Sequence, residues 1–379
     1  LTLNSGGTYT WDMVNATGAA GTGWDRIGST GLLTVGSTTG SKFTIAITSS
    51  GVPSNWDYTS SGQTWDLITY GTQSGFAADK FAFDTSNFGG TLTGDSSWSI
   101  SDTGTALRLT YTYTQQTPTW SGASGNWSTG FSPALTTGLN TSFTGAGGTS
   151  TNDINSGTLS SIGSMTFSGT GAYTLVANSN AAGYSAASAL SMNGGITNTS
   201  TGTQTINLAT SFAASQAITA TSGNITIGGA VAIGSGATLT INGTKDTAIS
   251  GQITGSGGIT KADAGTFTLS GNNTYSGGTT LSAGQLNINS NTALGNGTFT
   301  IAGGSIDNTS GSSKTLSNNN AQNWNTDFSF TGTNDLDFGT GAVAMNASRT
   351  VTVTAGNLTI GGIVSGAGFG LTKSGNGVL

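Results

Sequence analysis

The chain has 379 residues, of which 63 are Gly and only 6% are charged, with a formal net charge of -6. It contains neither His nor Cys, which excludes Ser–His and Cys–His nucleophilic catalysis, the usual zinc and copper ligand sets, and any disulfide framework. Nine Lys and Arg in a net acidic chain leave no electrostatic footprint for nucleic acid.

Long Gly, Ser, Thr and Asn tracts often fail to bury a core and stay disordered. Here 34% of residues are hydrophobic, only 3 are Pro, and the apolar positions recur regularly. The composition therefore predicts an ordered chain with a thin, repetitive core. Every acidic residue is Asp. Without Glu, and with Lys, Arg and Leu scarce, the best helix formers are missing, so one turn within residues 184–192 (YSAASALSM) is the only helix expected. No stretch approaches the ~20 apolar residues of a spanning helix. The length allows about two or three domains.

In chain order, the first residues, Leu1, Thr2 and Leu3, carry neither an initiator Met nor a signal peptide, and read as the start of a mature or internal piece. The segment 1–116 is β-rich and irregular, and holds eight of the fifteen Asp and five of the eight Trp. Strands are expected at 42–48 (KFTIAIT) and 107–114 (LRLTYTYT). Trp11, Trp24 and Trp65 each precede an Asp, which predicts a recurring corner. Trp56 and Trp98 complete the set, and Trp in a β domain is more often core than sugar platform. A β-sandwich and an irregular solenoid end both fit this part. Thr117, Pro118, Thr119 and Trp120 mark a boundary, and 120–127 (WSGASGNW) opens the second domain, 117–379.

Beyond it, short strands recur at 224–227 (NITI), 238–241 (TLTI) and 297–301 (GTFTI), separated by Gly and Asn pairs that supply left-handed corners. Residues 218–229 (ITATSGNITIGG) match 351–362 (VTVTAGNLTIGG) at an offset of 133. Residues 259–265 match 371–377 at an offset of 112. The offsets differ by 21, about one coil of a solenoid. Such a β-solenoid stacks apolar residues inward and Thr, Ser and Asn outward at ~4.8 Å, a spacing at which like charges repel. Coils of about 20 residues are expected, with Asn224 and Asn357 at equivalent corners. Both lie in glycosylation-like sequons, as does Asn126, but this composition generates such sequons by chance.

Residues 257–288 read GGITKADAGTFTLSGNNTYSGGTTLSAGQLNI. With Ile259, Lys261, Gly265, Leu269, Gly271, Asn273, Tyr275, Gly277, Gly278, Ala283, Gly284 and Leu286 in place, the segment resembles the autotransporter-associated β-strand repeat, also called the passenger-associated transport repeat. A second, partial copy spans 368–379. The resemblance implies a right-handed parallel β-helix of a secreted bacterial passenger domain, outside the cell or on its surface. Within 270–280 (SGNNTYSGGTT), a corner is expected, with Tyr275 covering an apolar edge.

Site chemistry is sparse. Asp335 and Asp337 share one face of an extended strand and could form a glycosidase-like pair, but a turn or a weak Ca²⁺ contact fits them better. A depolymerase groove would gather more charge, whereas residues 114–245 contain only Asp153 and Lys245. The string 311–315 (GSSKT) lacks phosphate-loop spacing, and no EF-hand or β-roll calcium motif occurs. No catalytic, cofactor or metal residue is assigned.

The expected function is that of a structural, non-enzymatic solenoid in a fibre or adhesin. A glycan-binding adhesin module comes second and a polysaccharide-degrading β-helix enzyme third. Aligning the two partial motifs places Leu1 on Phe267, Leu3 on Leu269 and Tyr9 on Tyr275. The chain start thus resumes the repeat where Leu379 leaves it. Head-to-tail self-association through residues 1–9 and 371–379 is the expected partnership, with surface glycans as possible further partners.

Overall fold

The computed structural model describes residues 1–57, 62–90, 92, 96–113, 117–122, 124–154, 159–177 and 189–379. The chain divides into two compact units, Leu1–Gln116 and Thr117–Leu379, each with its own apolar core.

The first unit winds parallel strands onto three sheets. Thr2–Leu3, Leu32–Val35 and Thr72–Ser74 stack on one, and Thr8–Asp12, Phe43–Thr48 and Phe81–Asp84 on the next. The third begins in the same way, with Ile27–Gly28 beside Gln63–Thr69. The next rung then reverses: Ala106–Thr112 runs antiparallel to Gln63–Thr69, and Ser97–Asp102 antiparallel to it. This unit is therefore an irregular solenoid closed by a hairpin, not a sandwich. Trp11, Trp65, Leu67, Leu107, Leu109 and Tyr111 fill its core.

The second unit is a regular parallel β-solenoid of about eleven turns. One face is a 13-stranded sheet, the next a 12-stranded sheet, and the third is split into sheets of five and three strands. The commonest strand length is three residues, typically with a buried–partly buried–buried pattern, as in Ile225–Ile227 and Val231–Ile233. Each rung thus contributes two side chains to the core and one to the surface. Thr240, Thr260, Thr280 and Thr300 face one another on successive coils 20 residues apart. Other coils are a few residues longer, and Thr166 to Thr197 is the longest at 31.

Corners close because Gly and Asx residues stand there. A Cβ on Gly243, whose φ is +102°, would lie 1.9 Å from the Ala220 carbonyl oxygen one coil away, so no other residue fits. Asx side chains tie coil to coil. The Asn224 Oδ1 accepts the Asp246 N–H at 3.1 Å, and the Asp246 Oδ1 accepts the Thr266 N–H at 2.9 Å. Asn289 does the same for Thr309, Asn319 for Thr340 and Asp327 for Thr350, each at 2.8 Å.

The only α-helical turn among the described residues is Trp127–Gly130. The expected turn at 184–192 is not supported: Leu190–Met192 is a strand, and 184–188 lie outside the described residues.

Candidate functional site: the coil at 257–288 and the solenoid ends

The coil is built from Gly258–Lys261 on the first face and Thr266–Leu269 on the second. The next coil opens with Thr279–Leu281 and Gln285–Ile288. Between Leu269 and Thr279 the third face has no strand. Two side chains fill that side instead.

Asn273 is buried. Its Oδ1 accepts the Ile253 N–H from the coil before at 2.8 Å, and its Nδ2 donates to the Ala293 oxygen of the coil after at 2.7 Å. One amide thus joins three coils where the ladder lapses. Tyr275 is also wholly buried, in the same core as Phe267, Leu281 and Leu294. Its hydroxyl bonds to the Thr279 Oγ1, and burial pushes its phenol well above the ordinary range. The expected edge cover is therefore a core residue, because the missing strand leaves a ring-sized space at that side.

Lys261 occupies an inward column between Ile241 and Leu281 and is 1% exposed. Its ammonium donates to the Asp263 carbonyl. Burial lowers its pKa, opposed by the charges of Asp263 and Asp246. Gly284, at φ +71°, lies against this corner, and a Cβ there would stand 2.3 Å from the Asp263 oxygen and 2.9 Å from the Lys261 Nζ. Lys373, which is exposed, repeats the hydrogen bond but not the burial. It lies beside Val351, and its Nζ donates to the carbonyl two residues on, that of Gly375, at 2.5 Å. Sequence reasoning placed Lys261 and Asn273 in the motif but not in the core. Their inward position depends on strand alternation, which the Thr-Lys pair alone does not reveal.

The repeat matches need a correction in position. Gln216–Ala220 lies on the first face and Ile225–Ile227 on the second, so Asn224 turns the corner between them. Arg349–Val353 lies on the second face and Leu358–Thr359 on the third, so Asn357 turns the next corner. The two are not equivalent corners. The same shift by one face separates Gly258–Lys261 from Leu371–Ser374. The local motif is strand–corner–strand, and it recurs on different sides of the coil.

Asp335 and Asp337 flank the buried Leu336 and point outward. Asp335 is committed to Asn357, accepting its N–H at 2.8 Å and its Nδ2 at 2.9 Å. Asp337 accepts the Gly339 N–H at 2.8 Å. They border a groove of about 430 Å³ with Lys314, Thr315 and Thr359. Among the described residues no group of three potential metal ligands forms.

The tryptophans of the first unit do not share a corner. Trp11 and Trp65 are buried strand residues, and each indole N–H is tied to a different loop carbonyl. Trp11 donates to Asp25 at 2.8 Å, Trp24 to Gly18 at 3.0 Å and Trp65 to Ala16 at 2.9 Å. Trp56 and Trp98 stack on each other, 6.0 Å apart and 9° from parallel.

The two ends of the second unit differ. At its start, Phe131–Ser132 runs antiparallel to Thr119–Trp120, and Trp120, Trp127 and Phe131 pack as a buried aromatic plug. At its far end, Ile363, Val364, Phe369, Leu371, Val378 and Leu379 are six of the ten exposed large apolar residues found among the described residues.

A three-faced parallel solenoid held by Asx corners defines a parallel β-helix. Residues 259–288 match the family model described as the passenger-associated-transport-repeat, so the coil above is such a repeat, set in the solenoid expected of autotransporter passenger domains. No curated protein and no solved structure matches the chain.

Proposed function

We propose that this chain is a rigid, non-enzymatic spacer in a secreted or surface-exposed bacterial protein, as part of a fibre or adhesin. The observation that carries this reading is the continuous parallel stacking on two faces, from Thr119–Trp120 to Val364–Ser365 and from Gly125–Asn126 to Leu371–Ser374. Backbone hydrogen bonds run along its axis, and each ~4.8 Å rung is interchangeable with its neighbours. The transport repeat supports a passenger origin. Asp335 and Asp337, the best acidic pair, already serve the Asn357 and Gly339 corners.

The test is to excise one whole coil, residues 259–278, and measure the length of the second unit by electron microscopy together with export and surface display. The spacer reading expects a folded, displayed protein shortened by about 5 Å. Turnover of an acidic polysaccharide by the intact chain, lost in an Asp337→Asn variant, would overturn it.

We further propose that the exposed coil at 363–379 stacks on residues 1–9 of a second copy. What supports this is the row of exposed Ile363, Leu371 and Val378 and the exposed Leu1. A head-to-tail contact that does not close gives a filament. Sedimentation at rising concentration should show end-to-end oligomers that Leu371→Glu abolishes. A monomer at every concentration would overturn it.

A further inference from the structure

The chain contains four Asn-Gly steps: Asn193-Gly194, Asn242-Gly243, Asn296-Gly297 and Asn376-Gly377. At such a step the Gly main-chain nitrogen can attack the Asn side-chain carbon, because Gly has no Cβ to obstruct the approach. Attack needs the nitrogen freed of its proton and turned toward the side chain. An N–H held in a hydrogen bond is neither.

The structure separates the four steps on this ground. The Gly194 N–H donates to the Gly163 oxygen at 2.7 Å, and the Gly377 N–H to the Val353 oxygen at 2.9 Å. The Gly243 N–H donates to the Asp263 Oδ2 at 2.9 Å. The Gly297 N–H has no acceptor among the described residues, and the Asn296 side chain is exposed, with its Nδ2 donating to the Thr274 oxygen at 3.1 Å and its carbonyl carbon open to attack. This step also lies on the strandless third side, between Gln285–Ile288 and Phe299–Ile301.

We propose that Asn296 is a site of spontaneous covalent modification in the folded protein, and that the other three Asn-Gly steps are protected. The Gly297 nitrogen forms a bond to the Asn296 Cγ, the Cγ–Nδ2 bond breaks, and the side-chain nitrogen leaves as ammonia with the proton lost from Gly297. Water then opens the succinimide ring at either carbonyl, giving Asp or isoaspartate; no oxidant or reductant is involved. The isoaspartate product adds a methylene to the main chain at a crowded place. A Cβ on Gly297 would lie 2.3 Å from the Gly278 nitrogen, and the Gly295 and Gly297 oxygens hold the buried Asn320 Nδ2 at 2.9 and 2.7 Å. Modification therefore loosens the grip of this coil on the next.

The test incubates the intact folded chain in mildly alkaline buffer and maps deamidation by mass spectrometry. The tryptic fragment between Lys261 and Lys314 carries Asn296. Asn296 should deamidate at least about tenfold faster than Asn193, Asn242 or Asn376, and the four rates should converge in denaturant. An Asp263→Ala variant, checked for folding by circular dichroism, frees the Gly243 N–H and should raise the rate at Asn242 alone. Equal rates at all four steps in the folded chain would overturn the proposal. So would an unchanged Asn242 rate in the folded variant, since hydrogen bonding of the Gly N–H would then not be what protects.

Discussion

Residues 1–112 and 117–379 both wind parallel strands around three faces, but their coils close differently. In the first unit Leu3 pairs with Val35 and Ile45 with Phe83, spacings of 32 and 38 residues. In the second, most coils take between 20 and 24. Long coils leave loops that cannot stack on one another, and the first unit pins them one at a time with indole N–H groups. Short coils place every corner above the last, so one Asx side chain can serve the backbone of the next rung. The irregular unit thus depends on a few large side chains, the regular one on many small, repeated bonds.

The largest effects should come from removing a ring in each unit. Trp65→Ala and Tyr275→Ala should each cost about 3–5 kcal/mol. Because the cores are separate, calorimetry should show two transitions, with each variant lowering only its own. A single transition moved by both would break the comparison.

Asn273→Leu keeps the branched skeleton but strands the Ile253 N–H and the Ala293 oxygen. Each unmade buried bond costs about 1–3 kcal/mol. Hydrogen exchange should quicken at Ile253 and Asn273's neighbours on the third side, and leave the Thr240–Thr300 column protected. Uniform quickening would mean that the coils open as one block.

Lys261→Met exchanges a buried charge for a similar volume and should be neutral or stabilising by less than about 1.5 kcal/mol. Its pH signature is sharper. Burial lowers the Lys261 pKa in the fold, so the unfolded chain holds that proton more tightly. Stability from this group is absent below the lowered folded value and rises with pH toward the ordinary 10.5. Tyr275 opposes it, since its raised phenol makes stability fall above the ordinary value of 10.0. The wild-type minus variant difference isolates the lysine and should grow with pH through that window. A flat difference would mean that Lys261 is solvated.

The smallest effect belongs to Arg108 and Asp66, the one ion pair found among the described residues, at 2.7 Å and with side chains 40% and 32% exposed. Asp66→Asn should cost less than about 1 kcal/mol and lose even that in high salt. The second unit's transition should ignore both changes.

Much was readable from residue order alone. Short alternating strands such as 43–48 and 225–227, Gly corners, the absence of long helices among the described residues and a coil of about 20 residues all follow from local preference: alternation sets which side chains point inward, and Gly or Asn sets where the chain turns. The motif at 257–288 was equally plain, because its Gly and Thr-Lys positions are fixed by that local geometry. What order could not decide was which side of the coil each motif occupies. Residues 218–229 and 351–362 look alike yet turn different corners, since every corner offers the same short-range surroundings. The face is set only when a coil closes on the one beneath it. That non-local event also seats Tyr275 and Lys261 in the core and leaves Asp335 bound to Asn357 instead of free for chemistry.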